Sequence, residues 1–426
     1  MRLSALLPLL LASLAGAAPV SFDEVRPVLE GRCVECHNPA KVKGKLLMTT
    51  REEMAKGGES GASLLDPKDG EIVKRITLPK GHDDIMPPKD GPLAAAEIDL
   101  LRRWVAEGAV WTSGVVLKAR DKAEETARAE LTAKLATIQK LEILPPSFSL
   151  ETRRDLHRVV VFATFSDATT RDVTAFAKLN VADGKVARLD GFSLAAAGDA
   201  GATELVAQIG GLTAKAPVAV KDGLKDRAVS FRLDVMPVFL RAGCNSGGCH
   251  GAARGKDGFR LSLFGMDPAG DYVRLTREMV GRRINLAIPE ESTVIEKAVG
   301  AVPHSGNKLY DADSAYNKAV LEWITTGAKD DPADVAKVTG IEIFPSQIVL
   351  EGPGATQQIT VRAKYSDGTD RDVTELAVFT SNNDPVAAIT KGGLVKSGDR
   401  GAAFMLARFN VYSITSQVIV IPQGLK

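Results

Sequence analysis

A run of ten residues occurs twice in this chain, 200 positions apart, and it commits the fold to two copies of one β-rich unit. Phe165-Ser166-Asp167-Ala168-Thr169-Thr170-Arg171-Asp172-Val173-Thr174 aligns with Tyr365-Ser366-Asp367-Gly368-Thr369-Asp370-Arg371-Asp372-Val373-Thr374. Apolar and polar residues alternate around both runs, as in Ile359-Thr360-Val361-Arg362-Ala363, and Asp367-Gly368 is a hairpin-turn dipeptide. Short antiparallel strands joined by tight turns predict a small β-sandwich for each copy. The first copy carries Ala168 where the second has its turn glycine.

A second unit also repeats. Phe22, Val25, Pro27 and Val28 correspond to Phe231, Val235, Pro237 and Val238, and Pro67 corresponds to Pro289. Further on, Leu101, Trp104, Val105 and Gly108 correspond to Val320, Trp323, Ile324 and Gly327. Apolar residues at i, i+3 and i+4 followed by glycine predict an amphipathic helix with its C-cap. A length of 426 residues suits three or four units of this size. The expected fold class is therefore multidomain α plus β, two mainly helical units alternating with two small sandwiches. Between the first pair, residues 118–140 place Ala123, Ala127, Leu131, Leu135 and Ile138 on one stripe, which predicts a helical linker packed on a neighbour.

The N-terminus reads Met-Arg, an apolar run from Leu3 to Leu14, then Ala15-Gly16-Ala17. This is the pattern of a secretory signal peptide over residues 1–17. No other stretch is apolar enough to cross a bilayer, so no membrane span is expected after cleavage. A net charge of +1 gives no reason to expect nucleic acid as a partner. The expected location is periplasmic or extracellular.

Export would ordinarily turn four cysteines into disulfides. Their spacing argues otherwise, because each tight pair is followed at once by a histidine. Cys33-Val34-Glu35-Cys36-His37 is a C-x-x-C-H sequence, the attachment signature of c-type haem. The two cysteines fall on one side of a turn, where each can form a thioether with a haem vinyl group, and the histidine is placed for the iron. A thioredoxin-like pair needs no such histidine, and a zinc site would want two further ligands nearby. Cys244-Asn245-Ser246-Gly247-Gly248-Cys249-His250 is a looser form, for which a Cys244–Cys249 disulfide stays open.

Sixth ligands follow from the alignment of the two units. Met86 lies 49 residues after His37 and 18 before Trp104, and His304 lies 54 after His250 and 19 before Trp323. Thioether and imidazole are ordinary axial donors to haem iron. His82 is the reserve candidate for the first unit. His157, before the run Val159-Val160-Val161, reads as a plain strand histidine. Arg260, Arg282 and Arg283 are candidate partners of haem propionates, since guanidinium pairs well with carboxylate.

These residues resemble known families. Phe22 to Trp111, with Cys33 to His37, Gly57-Gly58, Met86-Pro87-Pro88 and Trp104 to Ala109, resembles the planctomycete-type cytochrome c domain. Cys244 to His250, Gly255 to Leu263 and Gly281-Arg282-Arg283 resemble the cytochrome-like region of large multidomain proteins from the same bacterial groups. Residues 141–220 and 341–422 resemble the bacterial Ig-like group 2 family. The expectation becomes two mainly helical cytochrome c-like units, 21–115 and 228–331, alternating with Ig-like sandwiches at 141–222 and 339–426. The resemblance implies two covalent haem c groups, redox partner proteins and electron transfer, by a carrier rather than a catalyst. Two other readings carry different tests. A dihaem enzyme of peroxidase type would leave one iron open to peroxide, and a surface adhesin would bind glycans through its sandwiches.

Overall fold

The computed structural model describes residues 19–39, 41–68, 70–89, 92–112 and 115–425, so the leader-type segment 1–17 lies outside the described residues. The chain divides into two compact units, Met1–Lys122 and Ala123–Lys426.

In the first unit, helix α1 (Phe22–Arg32) begins at Ser21, which accepts the N–H of Glu24 while Glu24 reaches back to the Ser21 N–H. This reciprocal cap satisfies two of the orphan donors that every helix start presents. Two six-residue helices follow, α2 (Arg51–Lys56) and α3 (Glu71–Ile76), and then α4 (Ala95–Ala106). The core joins Phe22, Val25 and Leu29 of α1 to Leu101, Trp104 and Val105 of α4. Each such side chain, fully removed from water, stabilises by roughly 1.5–3 kcal/mol. The Trp104 indole donates to the Val110 carbonyl at 3.0 Å, so its one polar atom is paired.

The second unit opens with α5 (Lys122–Lys134) and holds both β-rich segments. In the first, Ile138–Leu144 pairs with Val160–Phe165, which pairs with Thr170–Asp172. A second sheet orders Leu156–Arg158, Ser193–Ala196 and Ala187–Asp190. A third sets Phe148–Thr152 parallel to Leu212–Asp222, followed by Gly201–Ile209 and Lys178–Val181. The second segment repeats this order strand for strand from Val338–Phe344 to Tyr412–Ile421.

The repeated decapeptide has a structural reason. Asp167 and Asp367 each accept the N–H of the threonine two residues on, closing the turn, and Asp172 and Asp372 do the same for Thr174 and Thr374. The Thr174 and Thr374 hydroxyls in turn accept the buried N–H of Val161 and Val361. The arginines of the motif face outward from their own copy: Arg171 donates to the Glu351 carbonyl of the other β segment, and Arg371 lies over Tyr365 toward Asp234.

Between the β segments, α6 (Met236–Arg241), α7 (Pro268–Thr276), α8 (Thr293–Val299) and α9 (Ala315–Thr325) surround Phe231, Phe239, Tyr272 and Trp323. Trp323 repeats the Trp104 arrangement, donating to the Lys329 carbonyl at 2.8 Å.

The expected fold class is corrected in two respects. Seven small sheets dominate the described residues, and the segments expected to be mainly helical hold only short helices. Long turns separate these helices, and prolines such as Pro79, Pro87 and Pro88 stop helix growth between α3 and α4. Each β-rich segment is also divided into three sheets rather than two layers. Register shifts at Ile138/Lys140 and Val338/Gly340 bend the strands that lead into them.

Candidate functional site

The C-x-x-C-H sequence is the turn that ends α1. Cys33 donates its N–H to Leu29, and both Cys36 and His37 donate theirs back to the Cys33 carbonyl at 3.2 Å. The chain then reverses through a two-residue ladder of His37–Asn38 against Lys41–Val42. That reversal brings the Lys43 carbonyl to 3.0 Å from His37 Nδ1. With Nδ1–H donated to a carbonyl, the lone pair of the imidazole is left on Nε2, the tautomer a metal needs.

Cys33, Cys36, His37 and Met86 line one cavity of about 890 Å³, together with Leu46, Met48, Leu64, Ile72 and Ile76. This volume falls within the roughly 300–1,000 Å³ of organic-ligand pockets. Apolar walls, two thiols and one imidazole suit a porphyrin, which brings its own four nitrogen donors. Burial pushes the Cys33 thiol up to about 12 and holds the His37 imidazole below the ordinary histidine range. Lys41, Lys43 and Arg75 also line the cavity. Sequence reading passed over these cations, although Lys41 and Lys43 follow His37 so closely that they were the natural place to look for carboxylate partners.

His82 does not face this cavity. Its Nδ1 accepts the N–H of Asp84 within its own loop. His157 is buried in its strand, edge-on to the Phe148 ring.

The second motif follows α6 with the same backbone logic and a wider turn. Cys244 donates to the Phe239 carbonyl at 2.9 Å, and His250 donates to the Cys244 carbonyl at 3.0 Å. Leu261 N–H meets the His250 carbonyl at 2.8 Å, as Met48 N–H meets that of His37 at 2.9 Å. All four cysteines are thiols. His250 Nδ1 lies 3.0 Å from the Phe259 carbonyl and His304 Nδ1 lies 3.2 Å from that of Asn307, which again leaves Nε2 for a metal.

Cys244, Cys249, His250, His304, Arg282 and Arg283 line a second cavity, of about 170 Å³. That is small for a macrocycle, so the fit rests on the donors. The His250 and His304 rings are parallel within 6° and their centroids stand 6.4 Å apart. Their imidazoles are the two nitrogen donors that would hold an iron here. Burial pushes the Cys244 thiol up to about 12 and lowers His250, the neighbouring His304 adding to the latter.

Arg260 is exposed and lines neither cavity. Arg283 is buried, with its guanidinium donating to the carbonyls of Arg274, Glu278 and Gly258. Among the described residues no cluster of three or more His, Cys, Asp or Glu side chains is set to hold a metal ion. No helix among them is long and apolar enough to cross a membrane.

A search of curated proteins finds no match. Among solved structures, domains 5-6 of the S-layer protein SbsC overlap 68% of this chain and 99% of their own at 10% identity, with a TM-score of 0.27. Extracellular domains 3-5 of Drosophila OTK overlap 67% and 63% at 8% identity, with a TM-score of 0.14. Overlaps this loose carry no inference about fold or function. Residues 33–90 match the family model of planctomycete cytochrome C, and that stretch runs from Cys33 past Met86.

Proposed function

We propose that this chain is an exported electron-transfer protein that binds haem c at Cys33 and Cys36, with His37 and Met86 as axial ligands, and a second haem at Cys244 and Cys249, with His250 and His304. The observation that carries the reading is the convergence of both thiols, the tautomer-fixed His37 and Met86 on one apolar cavity inside the stretch that matches planctomycete cytochrome C. Bound haem supplies one-electron ferric/ferrous chemistry. The protein's part is to hold the group in apolar surroundings, to present Nε2 of each histidine and to keep water from the iron. The N-terminal leader pattern supports export, and redox proteins are the partners the reading implies.

The test is a pyridine haemochrome assay with intact mass, on chain matured in a host that attaches haem. Two covalent haems support the whole reading and one supports the first site alone. A chain that leaves that host with no covalent haem overturns it.

A further inference from the structure

The arginine of the repeated decapeptide ends differently in the two copies. In the second copy the Arg371 guanidinium stands 3.8 Å from a carboxylate oxygen of Asp234. Its counterpart Arg171 is buried and donates to the carbonyls of Thr170 at 3.0 Å and Glu351 at 2.9 Å, and among the described residues it has no ion-pair partner. The nearby carboxylates of Glu351 and Asp167 are both engaged by Lys134. A buried cation left without an anion is costly. What Arg171 borders instead is a cavity of about 530 Å³ within the second unit, walled by α5 and by both β segments. Arg158 and Arg128 border it too, and among the described residues the exposed Arg128 also has no ion-pair partner. The two acids of the wall are already occupied. Asp172 accepts the N–H and the hydroxyl of Thr174, and Glu124 lies 3.4 Å from the Lys396 ammonium.

The same cavity offers a second kind of contact. Phe192, 52% exposed, and the exposed Leu394 border it, and Ser193 and Thr356 add hydroxyls. The other copy carries Gly392 where Phe192 stands, so the fold itself does not call for an aromatic ring at this position. We infer that this cavity binds an organic anion, a carboxylate carried on a ring with one apolar face and hydroxyl edges, as in the uronate units of acidic polysaccharides. The carboxylate supplies Arg171 with the counter-ion that Asp234 gives to Arg371, and the planar forks of Arg171 and Arg128 suit its two oxygens. The apolar face of the sugar packs on Phe192, and its hydroxyls meet those of Ser193 and Thr356. The volume lies within the roughly 300–1,000 Å³ of organic-ligand pockets. Neither haem takes part in this site, so the inference stands apart from the electron-transfer reading.

The experiment is isothermal titration calorimetry of the full chain with digalacturonate and diglucuronate, and with the neutral disaccharides of the same linkage. At least one uronate should bind, less tightly as salt rises, and the neutral sugars should not. Arg171→Gln should weaken binding about tenfold or more, the worth of a charged hydrogen bond. Phe192→Ala and Arg128→Ala, both at exposed positions, should each weaken it about three- to tenfold. Arg260→Ala, exposed and outside this cavity, should leave it unchanged. Absence of binding by either uronate overturns the inference, as does equal affinity for the neutral sugars or an equal loss in Arg260→Ala. If Arg171→Gln does not fold, Phe192→Ala and Arg128→Ala still decide, because unchanged affinity in both overturns the site.

Discussion

Arg283 lies over the face of Phe259, its guanidinium carbon 4.5 Å from the ring centroid, and Phe259 in turn supplies both the ring and the carbonyl that hold His250. The arginine braces the second site from behind, with three donated bonds to backbone carbonyls. Arg283→Ala should therefore destabilise the second unit by about 3 kcal/mol, the sum of lost hydrogen bonds and a cation–π contact. Arg283→Lys should recover less than half, since an ammonium cannot reproduce the planar fork. Urea titration of the haem-free chain is the decisive measurement, because a residue that served only a haem carboxylate would show no loss there.

Replacing Cys33 and Cys36 together by Ala should remove one covalent haem by mass and lower the melting temperature of the first unit. The cavity of about 890 Å³ that they border would otherwise stay lined by apolar groups with nothing to pack against. Unchanged haem stain and melting would end the assignment.

Met86→Ala should abolish the weak ferric absorption near the red edge of the visible that marks thioether ligation, and lower the higher of two reduction potentials. Thioether favours ferrous iron more than imidazole does. Persistence of that band would hand the sixth position to another residue.

What the sequence made legible is local. Cys33, Cys36 and His37 can be read as neighbours because three residues close one turn, and Trp104 and Trp323 can be paired because each ends a helix followed by glycine at positive φ, Gly108 and Gly327. The extent of helix was not legible, since apolar residues in loops around a cavity, such as Leu46 and Leu64, produce the same composition as a packed helix face. Phe259 lay inside a recognisable stretch, Gly255 to Leu263, but its role beside His250 left no mark there. That role depends on the direction of a carbonyl, which leaves no periodic trace.

The Cys33 and Cys244 thiols are both raised by burial from 9.0 to about 12. In the haem-free native chain, alkylation at pH 8 should be slower at these two sites than in the denatured chain by up to about 1,000-fold, following the thiolate fraction. The sign for stability follows from the same shift. The folded state holds the proton more tightly, so its advantage is complete below pH 9 and is lost as pH rises from 9 toward 12. Mass spectrometry of timed alkylation and melting across that range check both. Equal alkylation rates in native and denatured chain would contradict the burial of the thiols.

Ala168 adopts φ +62° where its counterpart Gly368 takes +82°. A left-handed non-glycine costs about 1–2 kcal/mol, partly offset by the entropy that glycine loses on folding. Ala168→Gly should stabilise the first β segment by about 0.5–1 kcal/mol, read as a rise in denaturation midpoint without a change in slope. Gly368→Ala should cost at least as much.

Helix α5 places Ala127 in the core of the second β segment and Leu131 against that of the first, and Leu135 in the turn that follows packs there too. Lys134 reaches Glu351 at 2.8 Å, and Glu130 is bonded to Gln423, 293 positions away. The second unit is therefore clasped shut by its own first and last residues. A chain that emerges from its N-terminus has the clasp's first half from the outset and waits for the second until the strand Tyr412–Ile421 and Gln423 arrive. The contact of α5 with the second β segment thus closes one of the longest loops the unit can form, which makes that contact slow and late. Until then Ala127 and Glu130 of α5 lack the partners they hold in the folded unit.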